Sequence, residues 1–112
     1  MESICDKAPS PDGLGLGPGL RLHTLYLSSR DGSPFSRADR SAVVDAVSAR
    51  FPGFTMTDTL GYFRGRALTT LAIDIASNDT PRVAALARDL CAALGQDAVG
   101  LAVGGVFHQV TA

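Results

Sequence analysis

Two segments with the apolar spacing of surface helices divide this chain into an alternating order of strands and helices. In residues 36–51 and 80–94, apolar side chains recur at intervals of three and four, as in a helix that packs one face on a sheet. The apolar stretches around them are short, rich in Val, Ile, Thr and aromatic residues, and bounded by Gly, Pro, Asn or Asp, which is typical of strands. The order strand, helix, strand, strand, helix, strand predicts an α+β domain.

The predicted strands cover residues 20–28, 54–63, 68–76 and 98–110. Ser36 and Thr80 are the predicted N-caps of the two helices, because their hydroxyls can accept from the free amides of a first turn. The short connection at residues 64–66 predicts an antiparallel hairpin. Gly104 and Gly105 lie within the last predicted strand, where they indicate a bulge or a kink.

Two strand-helix-strand units with right-handed crossovers place both helices on one face of an antiparallel sheet, with the strand order fourth, first, third, second. This arrangement resembles the ferredoxin-like βαββαβ sandwich over residues 20–110, and PII-like signalling proteins share it. The resemblance is architectural and rests on no family motif. Residues 20–112 are predicted to form one domain, and residues 1–19, rich in Gly and Pro, a flexible tail.

Charge and the distribution of apolar residues limit the classes of partner that are expected. The chain has a formal net charge of −1, and residues 20–112 hold nine Arg against eight Asp with no basic run. The predicted outer sheet face carries small residues, without the aromatic and basic residues on its central strands that bind RNA, so no nucleic acid is expected. Without a signal peptide or a long apolar run, we expect no membrane contact and a cytoplasmic location.

Neither metals nor cofactors are expected, because the two Cys and two His residues have no third ligand at a suitable spacing.

Self-association is predicted from the end of the chain. Residues 98–112 contain no Asp, Glu, Lys or Arg, and an edge strand without charges lacks the usual protection against pairing with another chain. A small, apolar sheet face is also better explained by burial than by exposure. The predicted interface residues are Gly100, Ala102, Val103 and Val106. The alternative is that the C-terminus folds back and covers the edge within one monomer.

Four residues are candidates for catalysis. His23 and His108 lie on the first and last predicted strands, which are neighbours in the proposed order, and each could act as a base near neutral pH. The alternative is that each is a packed or surface histidine. Tyr62 lies on the second strand at the hairpin, and Asp74 lies further along the third strand.

Arg64 and Arg66 form a candidate anion site at the hairpin. Two guanidinium groups around a glycine can hold a carboxylate or phosphate through paired hydrogen bonds. The alternative is a solvated hairpin tip.

Three short segments, Gly53-Phe-Thr, Gly61-Tyr-Phe and Gln96-Asp-Ala-Val99, have a spacing similar to that of small phage-encoded lyases that degrade S-adenosylmethionine. The resemblance implies a PII-like fold with a site between subunits. It also implies a catalytic glutamate on the third predicted strand. That strand has no glutamate here and offers only Asp74, so the chain departs from the resemblance at this position.

The sequence thus predicts a small self-associating regulatory or accessory binding protein of a phage or other mobile element. Its expected partners are a second copy of itself, another protein or a small anionic ligand, and it is predicted to work by binding rather than by catalysis. The alternative is an enzyme for a small metabolite, such as a PII-like S-adenosylmethionine lyase, with its site between subunits.

Overall fold

A computed structural model describes residues 19–29 and 32–112. Its elements are β1 (Arg21–Ser28), α1 (Arg37–Ser48), β2 (Thr55–Phe63), β3 (Arg66–Ser77), α2 (Thr80–Ala93), β4 (Val99–Val103) and β5 (Val106–Val110). The strands form one antiparallel sheet in the order β2-β3-β1-β4-β5. This confirms the α+β, ferredoxin-like prediction and the order of its four strands. The predicted tail lies outside the described residues except for Gly19.

The last predicted strand is in fact two strands, β4 and β5. Gly104 and Gly105 have φ values of 55° and 82° and form a two-residue turn, after which β5 returns along β4. Positive φ at both turn positions matches the strand twist and is accessible to glycine at no steric cost. The predicted bulge is therefore wrong. The chain end does cover β4, and β5 takes its place as the edge of the sheet.

The core lies between one face of the sheet and the two helices. Alternate strand residues face this core, in agreement with the predicted alternation. The fully buried side chains include Leu25 and Leu27 of β1, Leu71, Ile73 and Ile75 of β3, Val43 and Val47 of α1, and Val83 and Leu86 of α2. The remaining strand residues, such as Tyr26, Asp74, Gly100 and Phe107, share the opposite side by register, here called the open face.

The helical layer is shorter than predicted. Helix α1 ends at Ser48 rather than at residue 51, and Val44, one of its apolar residues, is 36% exposed.

Met56 of β2 packs against the core, but Leu60 and Tyr62, further along the same side of β2, are 60% and 70% exposed. The tip of the β2–β3 hairpin therefore extends beyond the core with its apolar side chains exposed.

The two helix N-caps differ in how well they were predicted. Ser36 accepts a hydrogen bond from the amide of Asp39 at 3.0 Å, as expected. In α2 the N-cap is Asp79, whose carboxylate accepts from the amide of Arg82 at 3.0 Å, and not the predicted Thr80. Thr80 is instead the first helical residue, and its hydroxyl bonds to His23 across the core.

An ion pair joins α1 to β2. The guanidinium of Arg40 donates to both carboxylate oxygens of Asp58, at 2.7 and 2.9 Å. The hydrogen bond from Arg40 holds the pKa of Asp58 below its usual range. Asp58 interrupts the apolar side of β2 in the sequence, and this exposed pair accounts for it. Neither helix of the described chain is long and apolar enough to cross a membrane.

Candidate functional site

His23 is a buried core residue with both ring nitrogens engaged. Its Nδ1 lies 3.0 Å from the carbonyl oxygen of Arg21, and its Nε2 lies 2.8 Å from the hydroxyl of Thr80. A carbonyl can only accept, so Nδ1 donates, and in the neutral ring Nε2 accepts from Thr80. The side chain is fully buried, so within one subunit it serves packing and joins β1 to α2.

His108 lies on β5, opposite Leu101 of β4, and is exposed. Strand β4 separates it from β1, which carries His23. The two histidines therefore do not form a pair within one subunit. His108 instead lines an apolar groove of about 540 Å³ between α2 and the β4–β5 hairpin.

The open face carries an aromatic groove of about 410 Å³. The rings of Tyr26 and Phe107 meet on it with their centroids 6.2 Å apart and their planes tilted by 41°. Gly100 makes room for this contact, because a Cβ atom there would lie 2.6 Å from Cζ of Phe107. The residues lining the groove are Tyr26, Ser28, Gly61, Tyr62, Phe63, Leu68, Thr70 and Phe107.

Hydroxyl groups form the floor of the aromatic groove. Thr70 is 5% exposed, and its Oγ1 donates to the carbonyl of Leu68 and lies 3.2 Å from Oγ of Ser28. With its own proton committed, Thr70 accepts from Ser28. Gly61 permits this arrangement, because a Cβ atom there would lie 2.9 Å from the Thr70 hydroxyl. The floor is thus a fixed polar strip beneath the rings.

Asp74 lies on the same open face, at the other end. Its Oδ1 accepts from the hydroxyl of Thr24 at 2.7 Å, and its side chain is half-buried. It is four positions from Thr70 along β3, a span of about 13 Å at roughly 3.3 Å per residue. Asp74 therefore shares the face with the groove without lining it.

The two candidate arginines lie beside the groove, at the β2–β3 turn. Arg64 occupies the turn with φ of 51°, and its guanidinium stacks 5.2 Å from the ring centroid of Phe63. Arg66 is opposite Phe63 in the strand register. Both arginines are exposed, and Tyr62, 70% exposed, borders the groove next to them.

The four predicted interface residues occupy different environments. Gly100 and Ala102 are half-buried on the open face. Val103 is 9% exposed and belongs to the core, whereas Val106 of β5 is 56% exposed. Three of the four are thus accessible to another molecule.

The aromatic character of the open face differs from the prediction. No aromatic residue was expected on the central strands there, yet Tyr26 of β1 is one, and Phe63 and Phe107 join it from the edges. Two signals pointed to them. Tyr26 alternates with the buried Leu25 and Leu27, and two consecutive glycines as a two-residue turn place Phe107 opposite Ala102.

Among the described residues, no three His, Cys, Asp or Glu side chains are grouped so that they could hold a metal ion.

The fold and the groove define a small α+β protein with one sheet face left open by its helices. The sequence matches no known protein family, and no curated protein is similar to it. Its structure is similar to a solved structure described as a phage SAM lyase in the apo state. The TM-score is 0.62 at 17% sequence identity, over 84% of this chain and 90% of that chain. At this identity the likeness is one of fold.

Proposed function

We propose that this protein is a self-associating binding protein that holds a ligand of the S-adenosylmethionine class in the aromatic groove. The observation that carries the proposal is the grouping of three aromatic side chains, those of Tyr26, Phe63 and Phe107, over a hydroxyl floor on a sheet face that the helices do not cover. Ligand sites are mostly apolar and aromatic, with a few polar groups that fix orientation, and this groove has that composition.

The chemistry of the groove matches the parts of such a ligand. A purine stacks on Phe and Tyr rings, and a sulfonium cation is attracted to the negative face of an aromatic ring. Asp74 supplies a carboxylate for cationic or hydroxyl groups about 13 Å along β3 from Thr70. Arg64 and Arg66 flank the hairpin end of the groove, where they would pair with the carboxylate of an amino-acid moiety.

A second copy would complete the site. Phe63 and Phe107 are 62% and 64% exposed, so the groove of a single subunit leaves much of a ligand in water. Bound small molecules usually have most of their surface buried. The mean hydropathy of +0.17 is high for a small chain, which has much surface for its volume, and it supports burial of this face in an assembly.

A lyase acting on S-adenosylmethionine is the second candidate. The fold shared with the phage SAM lyase favours it. In this alternative Asp74 or Tyr62 would act as the base, with the partner subunit bringing its own residues to the groove. The binding function is preferred because His23, His108, Tyr62 and Asp74, the four candidate catalytic residues, lie apart within one subunit.

The binding function is tested by titrating the protein with S-adenosylmethionine in a calorimeter. Phe107→Ala and Tyr26→Ala should each weaken binding about fivefold or more, because a stacking contact is worth about 1–3 kcal/mol. Val44→Ala is the matched control, since it shortens an exposed apolar residue on α1. Absence of binding by the parent protein, or equal affinity in all three variants, would refute the proposed ligand site.

Mass spectrometry of the same mixture separates the two candidates. A binding protein returns S-adenosylmethionine unchanged after prolonged incubation, whereas a lyase consumes it. If it is consumed, Asp74→Asn and Tyr62→Phe identify the base, because the substitution that removes the base should abolish turnover and the other should not.

A further inference from the structure

The outer edge of β5 has a defined pattern of free backbone groups. Gly104 and Gly105 form a two-residue turn, so Val103 and Val106 are the hydrogen-bonded pair that closes it. Hydrogen-bonded and non-hydrogen-bonded pairs alternate along an antiparallel ladder. Val106, His108 and Val110 therefore direct their N–H and C=O groups to β4. Those of Phe107 and Gln109 point outward, where no other strand of the described chain lies.

This edge lacks the features that normally prevent strand pairing. Natural edge strands are protected by charged side chains, prolines, bulges or a covering segment. Residues 98–112 contain none of the four charged residue types and no proline. The strand is regular over its five residues, and Val106 and Phe107 are 56% and 64% exposed.

We propose that β5 pairs antiparallel with β5 of a second copy, with a two-fold axis at His108. This inference rests on the self-association in the proposed function and names the surface that forms it. Phe107 then lies opposite Gln109 of the partner subunit, and Gln109 opposite the partner's Phe107. Each is a hydrogen-bonded pair that exchanges two N–H···O bonds, so the edge gains four. His108 lies opposite the partner's His108 in a non-hydrogen-bonded pair, and the two sheets become one.

A second copy fits this edge because the strand is complementary to itself. Its outward groups fall at 107 and 109, which are symmetric about 108, so one rotation satisfies all of them. The strand contains no Asp, Glu, Lys or Arg, so no two such like charges face each other when it meets its own copy. The same rotation brings the apolar groove beside Val106 and Val110 next to its equivalent in the partner, and it shields both from water.

A charge-swap experiment tests the register directly. His108→Asp and His108→Lys each place two like charges opposite each other, so each variant alone should run as a smaller species than the parent in light scattering. An equimolar mixture should recover the parent assembly, because Asp and Lys then face each other across the axis. Only a residue that opposes itself gives this pattern. The same pair of substitutions at Ala42, an exposed residue on helix α1, is the control and should change nothing.

A backbone variant provides an independent test. Gln109→Pro removes an outward N–H group and leaves the bonds to β4 intact, so the subunit should stay folded by circular dichroism while dimer affinity falls at least tenfold. Leu60→Pro makes the equivalent change on β2, because Phe63 and Arg66 close that hairpin in the same way, and it should leave the assembly unchanged.

Each outcome has one meaning. If the His108 and Gln109 variants keep the parent mass, or the mixture does not recover it, the β5 pairing is refuted and self-association uses another surface. A monomeric parent refutes both the pairing and the proposed self-association.

Discussion

At the scale of single residues, Gly100 determines the shape of the groove. A Cβ atom there would lie 2.6 and 2.9 Å from two ring atoms of Phe107, closer than such contacts occur. Gly100→Ala should therefore push the ring aside and break its contact with Tyr26, while lowering the free energy of unfolding by about 1 kcal/mol or less, because the displaced ring is 64% exposed. The change is measured by the ring-current shifts of Tyr26 in NMR and by urea denaturation.

Gly53→Ala is the control for this substitution, because nothing lies within 4 Å of the added atom. Unchanged Tyr26 resonances in Gly100→Ala would show that the ring of Phe107 does not occupy the groove in solution.

The roles of His23 and Thr80 could not be predicted from neighbouring residues in the sequence. Thr80 and Asp79 are both good N-cap residues, so local chemistry alone does not decide between them. The choice depends on a contact 57 positions apart in the chain, the 2.8 Å bond from Nε2 of His23 to the Thr80 hydroxyl. The environment of His23 was unpredictable for the same reason.

At the scale of elements, periodicity predicted most of the fold. The two helices and four of the strands could be predicted because the spacing of apolar residues indicates which side of an element faces the core. The same spacing predicts the alternation of buried and exposed residues along β1, β3 and β4. Strand β5 was missed because Gly104-Gly105 is compatible with both a bulge and a turn. The end of α1 and the exposure of Val44 depend on how far the helix extends over β2, which no local pattern encodes.

The core faces of the helices carry the stability of the subunit. Val47 and Leu90 are 0% and 1% exposed and belong to the same core cluster. Val47→Ala and Leu90→Ala should each lower the free energy of unfolding by about 2–4 kcal/mol, because each leaves a cavity beside fixed neighbours. Val44→Ala should cost under about 0.5 kcal/mol, since that side chain is at the surface. Urea denaturation of the three variants checks both values, and equal losses would mean that α1 is rotated.

At the scale of the whole molecule, the site is built from residues far apart in the chain. Tyr26, Phe63, Thr70 and Phe107 come from four strands, and only the strand order brings them together. The sequence identified Tyr62, Arg64 and Arg66 because they are adjacent in a hairpin. It could not assemble the groove, because the position of Phe107 depends on β5.

The open face and the β5 edge are separate surfaces, and a charge on one should leave the other intact. Ala102 is half-buried on the open face, opposite Phe107, so Ala102→Arg places a cation where another copy would cover the groove. We expect the assembly to fall to an edge-paired dimer, twice the subunit mass of 11.6 kDa, in light scattering. Ala102→Glu should act alike, which separates an effect of charge from a new ion pair with Asp74. Ala92→Arg, on the exposed side of α2, is the control, and an unchanged mass for both Ala102 variants would exclude the open face as an interface.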